Sequence, residues 1–208
     1  MTESTGGIYL DHHATTPVDP RVAEAVMRYM VEEFGNANSV DHVHGERAAA
    51  AIEAATDAVA ELLSADSADV RFTSGSTHAI ELAFSHALGT VEGSPLRVAL
   101  SRVEHPAVID TAQRAERLGV ATLRWIDVAP DASIDLNRIE GLLSEIDLLC
   151  LMAANNEVGT IYPVAKAYEL AAAAGVAMLV DATQGVGRVP LDLSETPFDY
   201  FVFSGHKI

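Results

Sequence analysis

The amino-acid sequence predicts an α/β fold, a mostly parallel sheet flanked by helices, and three observations carry that expectation. Short apolar runs recur through the last two thirds of the chain, and stretches with apolar residues at helical spacing separate them. Strands that alternate with helices in this way run parallel and are covered on both faces. With 49% hydrophobic and 21% charged residues, the 208-residue chain also has the apolar material for one sizeable core.

Taken in order, Pro17 and Pro20 flank Asp19, a residue suited to cap a helix. Val22, Val26, Met30 and Phe34 then recur at helical spacing until Gly35, which predicts a first helix from Arg21. Residues 35–45 are turn-rich. Residues 46–63 are alanine-laden, with Ile52, Ala55, Val59 and Leu62 on one face, and read as a long amphipathic helix. Strands are expected at residues 70–73, 97–100, 121–126, 147–152, 177–180 and 200–203. Helices are expected at 77–88, 106–118, 136–143 and 164–174.

Thirteen Lys and Arg against 30 Asp and Glu give a net charge of −17, which argues against a nucleic-acid partner. Cys150 is the only cysteine, so an intrachain disulfide is impossible and a reducing, cytoplasmic setting fits. Residues 1–7 lack the basic-then-apolar order of a signal peptide. Residues 170–180, the longest uncharged apolar stretch, are too short to span a bilayer, so a soluble protein without membrane association is expected. His12, His13, His42 and His44 cluster near two turns but follow no zinc-ligand spacing, and no metal is expected.

In a parallel sheet, ligands collect beyond the C-terminal ends of the strands. Five expected strand ends carry polar groups there: Thr73 to His78, Glu104 and His105, Asn155 to Glu157, Asp181 to Gln184, and Ser204 to Lys207. The turn holding Ser76 and Thr77 offers hydroxyls and helix-start N–H groups that suit a phosphate, and equally suits an ordinary N-cap. Asp181 follows an apolar run and needs a cationic partner if it is buried, or it caps a helix. Lys207, one of only two lysines with Lys166, is placed to capture an aldehyde, although by itself it reads equally as a solvated surface residue. An anion cradle, a carboxylate, an amine and the ring of His105 are together what pyridoxal phosphate requires.

Seven blocks in order carry a resemblance to a known family. They are Tyr9, Leu10 and Asp11 with Ala14 to Val22; Gly35 and Asn36 with Ser39, His42 and Gly45; Phe72 to Gly75 with Thr77; Glu104 and His105 with Ala107 and Val108; Asn155 to Gly159; Asp181 to Gln184 with Val186 and Gly187; and Ser204 to Ile208. The chain resembles the cysteine desulfurases of the NifS/IscS type, in the class V aminotransferase group of fold-type I pyridoxal-phosphate enzymes. The resemblance implies pyridoxal 5'-phosphate linked to Lys207, Asp181 on the pyridine nitrogen, and Asn156 and Gln184 near the ring's phenolic oxygen. It further implies that Ser76, Thr77, Ser204 and His206 hold the phosphate, and that His105 stacks on the ring and helps move protons. The implied reaction takes sulfur from L-cysteine, leaving alanine, and hands it as a persulfide to an iron–sulfur scaffold or a tRNA-thiolation acceptor, in a homodimer.

The sequence departs from the pattern at His78, where the family usually has Glu, and at Ser76, where Ala is common. It also ends one residue after Lys207, whereas the family continues with the rest of its large domain and a small domain carrying the nucleophilic cysteine and a carboxylate-binding arginine. The expectation is therefore an N-terminal half: residues 1–16 as a segment that joins the small domain, residues 17–208 as an incomplete cofactor-binding large domain, and no small domain. Cys150, inside an apolar run, reads as a buried strand residue and not as the nucleophile. A selenocysteine lyase or an aminotransferase of the same group, or a fragment that binds cofactor or partner without turnover, is the alternative.

Overall fold

A computed structural model of the chain describes residues 7–208, so the expectations for residues 1–6 lie outside the described residues. The chain divides into two compact units, one of residues 16–72 and 192–195, the other of residues 7–15, 73–191 and 196–208.

The first of these is helical. Helix α1 (Pro20–Val31) starts as expected, with Asp19 Oδ1 accepting from the Arg21 N–H at 2.8 Å and Pro20 in the first turn. None of its residues is buried, and Val22, Val26, Met30 and the following Phe34 all stand in solvent. Helix α2 (Val43–Leu63) begins three residues before the expected start, because the His42 ring caps it: Nδ1 accepts from the Gly45 N–H at 3.2 Å. Its buried residues are Gly45, Ala48, Ala60 and Leu63, whereas Ile52 and Leu62 of the expected apolar face are exposed. Residues 70–73 are not a strand. The Arg71 guanidinium instead donates to the carbonyl oxygens of Ala68 (2.6 Å) and Val70 (2.7 Å), and no neighbouring strand pairs with the segment.

The second unit holds the sheet. Helix α3 (Ser76–Gly89) leads into β1 (Leu96–Ser101), followed by α4 (Pro106–Arg117), β2 (Ala121–Ile126), α5 (Leu136–Leu142), β3 (Leu148–Cys150), α6 (Val164–Ala173), β4 (Ala177–Asp181) and β5 (Tyr200–Val202). These match the remaining strand and helix expectations to within a few residues. The five strands lie in the order β2-β1-β3-β4-β5 and every pair is parallel. Val98, Leu100, Leu148, Cys150 and Leu179 pack with Ile80 and Phe84 of α3 and Val108 and Ala112 of α4. The alternating residues Ala99, Leu149, Met178 and Val180 are also fully buried and must point to the other face, where α6 lies against β4. Each buried large side chain contributes roughly 1.5–3 kcal/mol. No helix among the described residues is long and apolar enough to cross a membrane.

The strand order reverses direction between β1 and β3, which opens a crevice beyond their C-terminal ends. Glu104 spans it. Its Oε1 accepts from Ser101 Oγ (2.5 Å) at the end of β1 and from the Met152 N–H (3.0 Å) just past β3. Its Oε2 is buried without a hydrogen-bond partner among the described residues. Burial therefore pushes the carboxyl up to about 7 against the pull of those two donors, and the nearby Asp181 carboxylate adds to the rise.

A carboxyl raised in the folded state binds its proton more tightly there than in the unfolded chain. Its stabilisation is full below about pH 4.5 and is lost as the pH climbs through about 7. Glu104→Gln keeps the Oε1 acceptor and cannot ionise. Relative to wild type, this variant should gain on the order of 2–3 kcal/mol between pH 5 and pH 8 in urea unfolding. Parallel pH profiles for the two proteins would show that Glu104 stays charged.

Candidate active site

Four of the five strands deliver their polar ends to one cleft. His105 follows β1, Asn156 follows β3, Asp181 ends β4 with Gln184 just beyond it, and Lys207 follows β5; all five line the same space, together with Met152 and Thr183. That space is narrow, about 10 Å³, enough for one water molecule.

Asp181, at the end of β4, is buried. Backbone bonds fix it on both sides: the Ala153 N–H donates to its carbonyl oxygen (2.9 Å), and the Ala182 N–H donates to that of Val202 (2.7 Å). Its Oδ1 accepts from the Thr183 N–H at 3.0 Å, a turn contact and not a helix cap. His105 is the N-cap of α4, and its Nδ1 accepts from the Ala107 N–H at 3.1 Å. That bond makes Nδ1 the acceptor, so Nε2 carries the proton of the neutral ring.

Asn155 is buried and structural. Its Nδ2 donates to the Val103 carbonyl at 3.0 Å and its Oδ1 accepts from the N–H groups of Glu157 and Val158. Asn156 turns one amide hydrogen to Glu157 Oε1 at 2.6 Å. Gln184 is buried and bonded at both ends of its amide, to Arg188 and to the His13 carbonyl oxygen. The Lys207 ammonium makes no hydrogen bond or ion pair among the described residues, whereas Lys166 is paired with Glu169 on the surface of α6.

Ser76, Thr77, Ser204 and His206 do not line the cleft. Ser76 and Thr77 open α3 directly after Gly75, whose φ of +148° is a conformation that glycine adopts without strain. Because α3 precedes β1 and packs along β4 and β5, its N-terminus lies at the C-terminal end of the sheet. His78 bonds back to Ser74 Oγ at 3.1 Å, so the departure from the family pattern alters a local contact at the helix start. Ser204 and His206 lie just before Lys207 on the turn after β5, His206 in solvent.

Sequence reasoning missed three participants: Glu104 as a buried carboxyl, Arg188, and His13, whose Nδ1 donates to the Asn156 carbonyl at 3.2 Å. Only Glu104 left a signal, an acid within a few residues of a core strand. Cys150 is buried in β3, where desolvation pushes its thiol well above the usual range. Among the described residues no group of three His, Cys, Asp or Glu side chains is placed to hold a metal ion.

The donor set suits pyridoxal phosphate. A buried carboxylate with no cation on it calls for a positively charged partner, and Thr183 Oγ1 is a buried hydroxyl with no hydrogen-bond partner among the described residues. An unpaired amine and two amide side chains complete the groups such a cofactor needs.

Residues 8–208 match the model of the family described as Aminotransferase class-V. The chain is 40% identical over 204 residues to a protein named cysteine desulfurase IscS from Salmonella paratyphi B, covering 97% of this chain and 50% of that one. Among solved structures it is similar to a NifS-like protein, with a TM-score of 0.91 and 32% identity over 96% of this chain and 55% of that chain. It is also similar to a NifS-like protein from Rickettsia africae, with a TM-score of 0.83 and 28% identity over 97% of this chain and 54% of that one. The chain thus spans about half the length of the curated relatives it matches. With a family match that runs from the first turn to the last residue over the expected parallel sheet, the chain belongs to the class-V aminotransferase family.

Proposed function

We propose that the chain is the cofactor-binding part of a cysteine desulfurase, which holds pyridoxal 5'-phosphate in the strand-end cleft and releases sulfur from L-cysteine, leaving alanine. The observation that carries the reading is the convergence of Asp181, Gln184, His105, Asn156 and Lys207, remote in sequence, on one cleft. The similarity to a protein named cysteine desulfurase IscS supports the choice of substrate.

Bound there, the cofactor supplies an aldehyde that captures amines and a ring that takes up electron density from the substrate's α-carbon. Lys207 Nζ, free of ion pairs, is the amine that holds it. Asp181 keeps a proton on the ring nitrogen, and that positive charge offsets the several kcal/mol that an unpaired buried carboxylate costs. His105 would lie against the ring, with Nε2 as the nitrogen open to proton exchange because Nδ1 is engaged by the Ala107 N–H. Either Lys207 Nζ or His105 Nε2 takes the proton from the substrate's Cα. Asn156 and Gln184 offer N–H donors to the ring oxygen, while Ser76, Thr77, Ser204, His206 and the N-terminus of α3 take the phosphate.

The thiol that accepts sulfur as a persulfide is not Cys150, since a buried, protonated thiol is no nucleophile. From there the sulfur passes to an iron–sulfur scaffold or a tRNA-thiolation acceptor. A homodimer belongs to the same reading, supported by the apolar side chains that α1 and α2 leave in solvent.

Two tests on the natural full-length protein follow. After loading with pyridoxal phosphate, borohydride reduction and digestion, the pyridoxyl mass should sit on Lys207, and Lys207→Ala should lose both the label and, with a thiol reductant present, the release of sulfide from L-cysteine; label on Lys166 alone refutes the assignment. Asp181→Asn should retain the label while sulfide release falls on the order of 100-fold, and near-native turnover in that variant excludes the proposed role. Alanine as the co-product separates desulfuration from transamination, which would leave a 2-oxo acid.

A further inference from the structure

Gln184 is held by two partners that leave no ambiguity about which way its amide points. Arg188 Nη1 donates to Oε1 at 2.9 Å, and Nε2 donates to the His13 carbonyl oxygen at 2.9 Å. A guanidinium only donates and a carbonyl oxygen only accepts, so the two contacts favour the same orientation and hold it together. Nε2 carries two hydrogens. One goes to His13, which leaves the other for the cleft that Gln184 lines.

Arg188 is itself anchored. Its Nη2 donates to the Lys207 carbonyl oxygen at 2.7 Å. Gly187, at φ +76°, brings the turn so close to Ile208 that a Cβ there would lie 3.3 Å from Ile208 Cγ2. One exposed guanidinium therefore joins the segment after β4 to the segment after β5, and through Gln184 to the His13 turn, whose ring donates to the Asn156 carbonyl. It thus ties together two segments that line the cleft and the turn that holds His13.

We propose that Arg188 is a positioning residue: it locks the Gln184 amide so that nitrogen and not oxygen faces the cleft, and the site thereby selects a deprotonated ring oxygen on its ligand. The proposal rests on the cofactor reading above. An N–H donor bonds more strongly to an oxyanion than to a neutral hydroxyl oxygen, and so favours the deprotonated form. Without Arg188 only the His13 carbonyl opposes rotation of the amide, and the preference for the oxyanion weakens.

The test is a pH titration of the cofactor's long-wavelength absorption band in the loaded full-length protein, comparing wild type, Arg188→Met, Gln184→Met and the double variant. Both single variants should move the midpoint upward by about one pH unit, a tenfold change in proton affinity. The double variant should move it no further than Gln184→Met alone, because Arg188 acts through Gln184. Arg188→Lys should recover part of the shift, since an ammonium can still donate to Oε1. A purely structural role would lower cofactor retention and melting temperature and leave the midpoint in place. Borohydride label on Lys207 with an unmoved midpoint in Arg188→Met, or additive shifts in the double variant, overturns this inference alone. Absence of that label in wild type overturns the cofactor reading and this inference with it.

Discussion

Where β1 and β3 part, two core strands end beside each other with their chain directions leading to opposite sides of the sheet, and a single carboxyl group bridges the gap. Glu104 Oε1 takes the hydroxyl of Ser101 and the N–H of Met152, so the two loops that leave these strands start from fixed positions. His105 is the next residue and caps α4. Asn155, three residues past Met152, donates back to the Val103 carbonyl and closes the second link between the same two loops. Asp181 is then set by the ladder that Ala153 extends to β4. The cost of the arrangement is a second carboxylate oxygen left without a partner in the core, and the carboxyl accommodates it by holding its proton to about pH 7.

Much of this was legible in the sequence, because a parallel sheet writes itself as apolar runs and its chemistry as the polar residues that follow them. The 121–126 and 177–180 runs became strands almost to the residue. The run at 70–73 did not, since a strand requires a neighbour and Arg71 engages two of the local carbonyl groups. The faces of α1 and α2 failed for a related reason: periodicity shows that a helix has an apolar side and says nothing of what lies against it, and Ile52 and Leu62 are in solvent while Ala48 and Ala60 are buried. The bonds that orient the candidate site were out of reach altogether. His13 and Gln184 are 171 positions apart, and Glu104 and Met152 are 48 apart. Only the fold brings them within hydrogen-bonding distance.

A chain of net charge −17 repels an anionic ligand at long range, yet beyond about 8 Å that field is largely screened at physiological ionic strength, so the local balance at the cleft governs binding. There the chain places the Lys207 ammonium, and the Arg188 guanidinium one side chain away, against the carboxylate of Asp181. His105 accepts from its own helix through Nδ1. Glu104 would be a second anion at the same spot, and burial keeps it protonated below about pH 7. The cleft is therefore locally positive inside a strongly acidic chain. Ionising Glu104 would cancel that excess without moving an atom of the ligand-facing residues, which ties the electrostatics of the site to the same carboxyl that holds the two strand ends together.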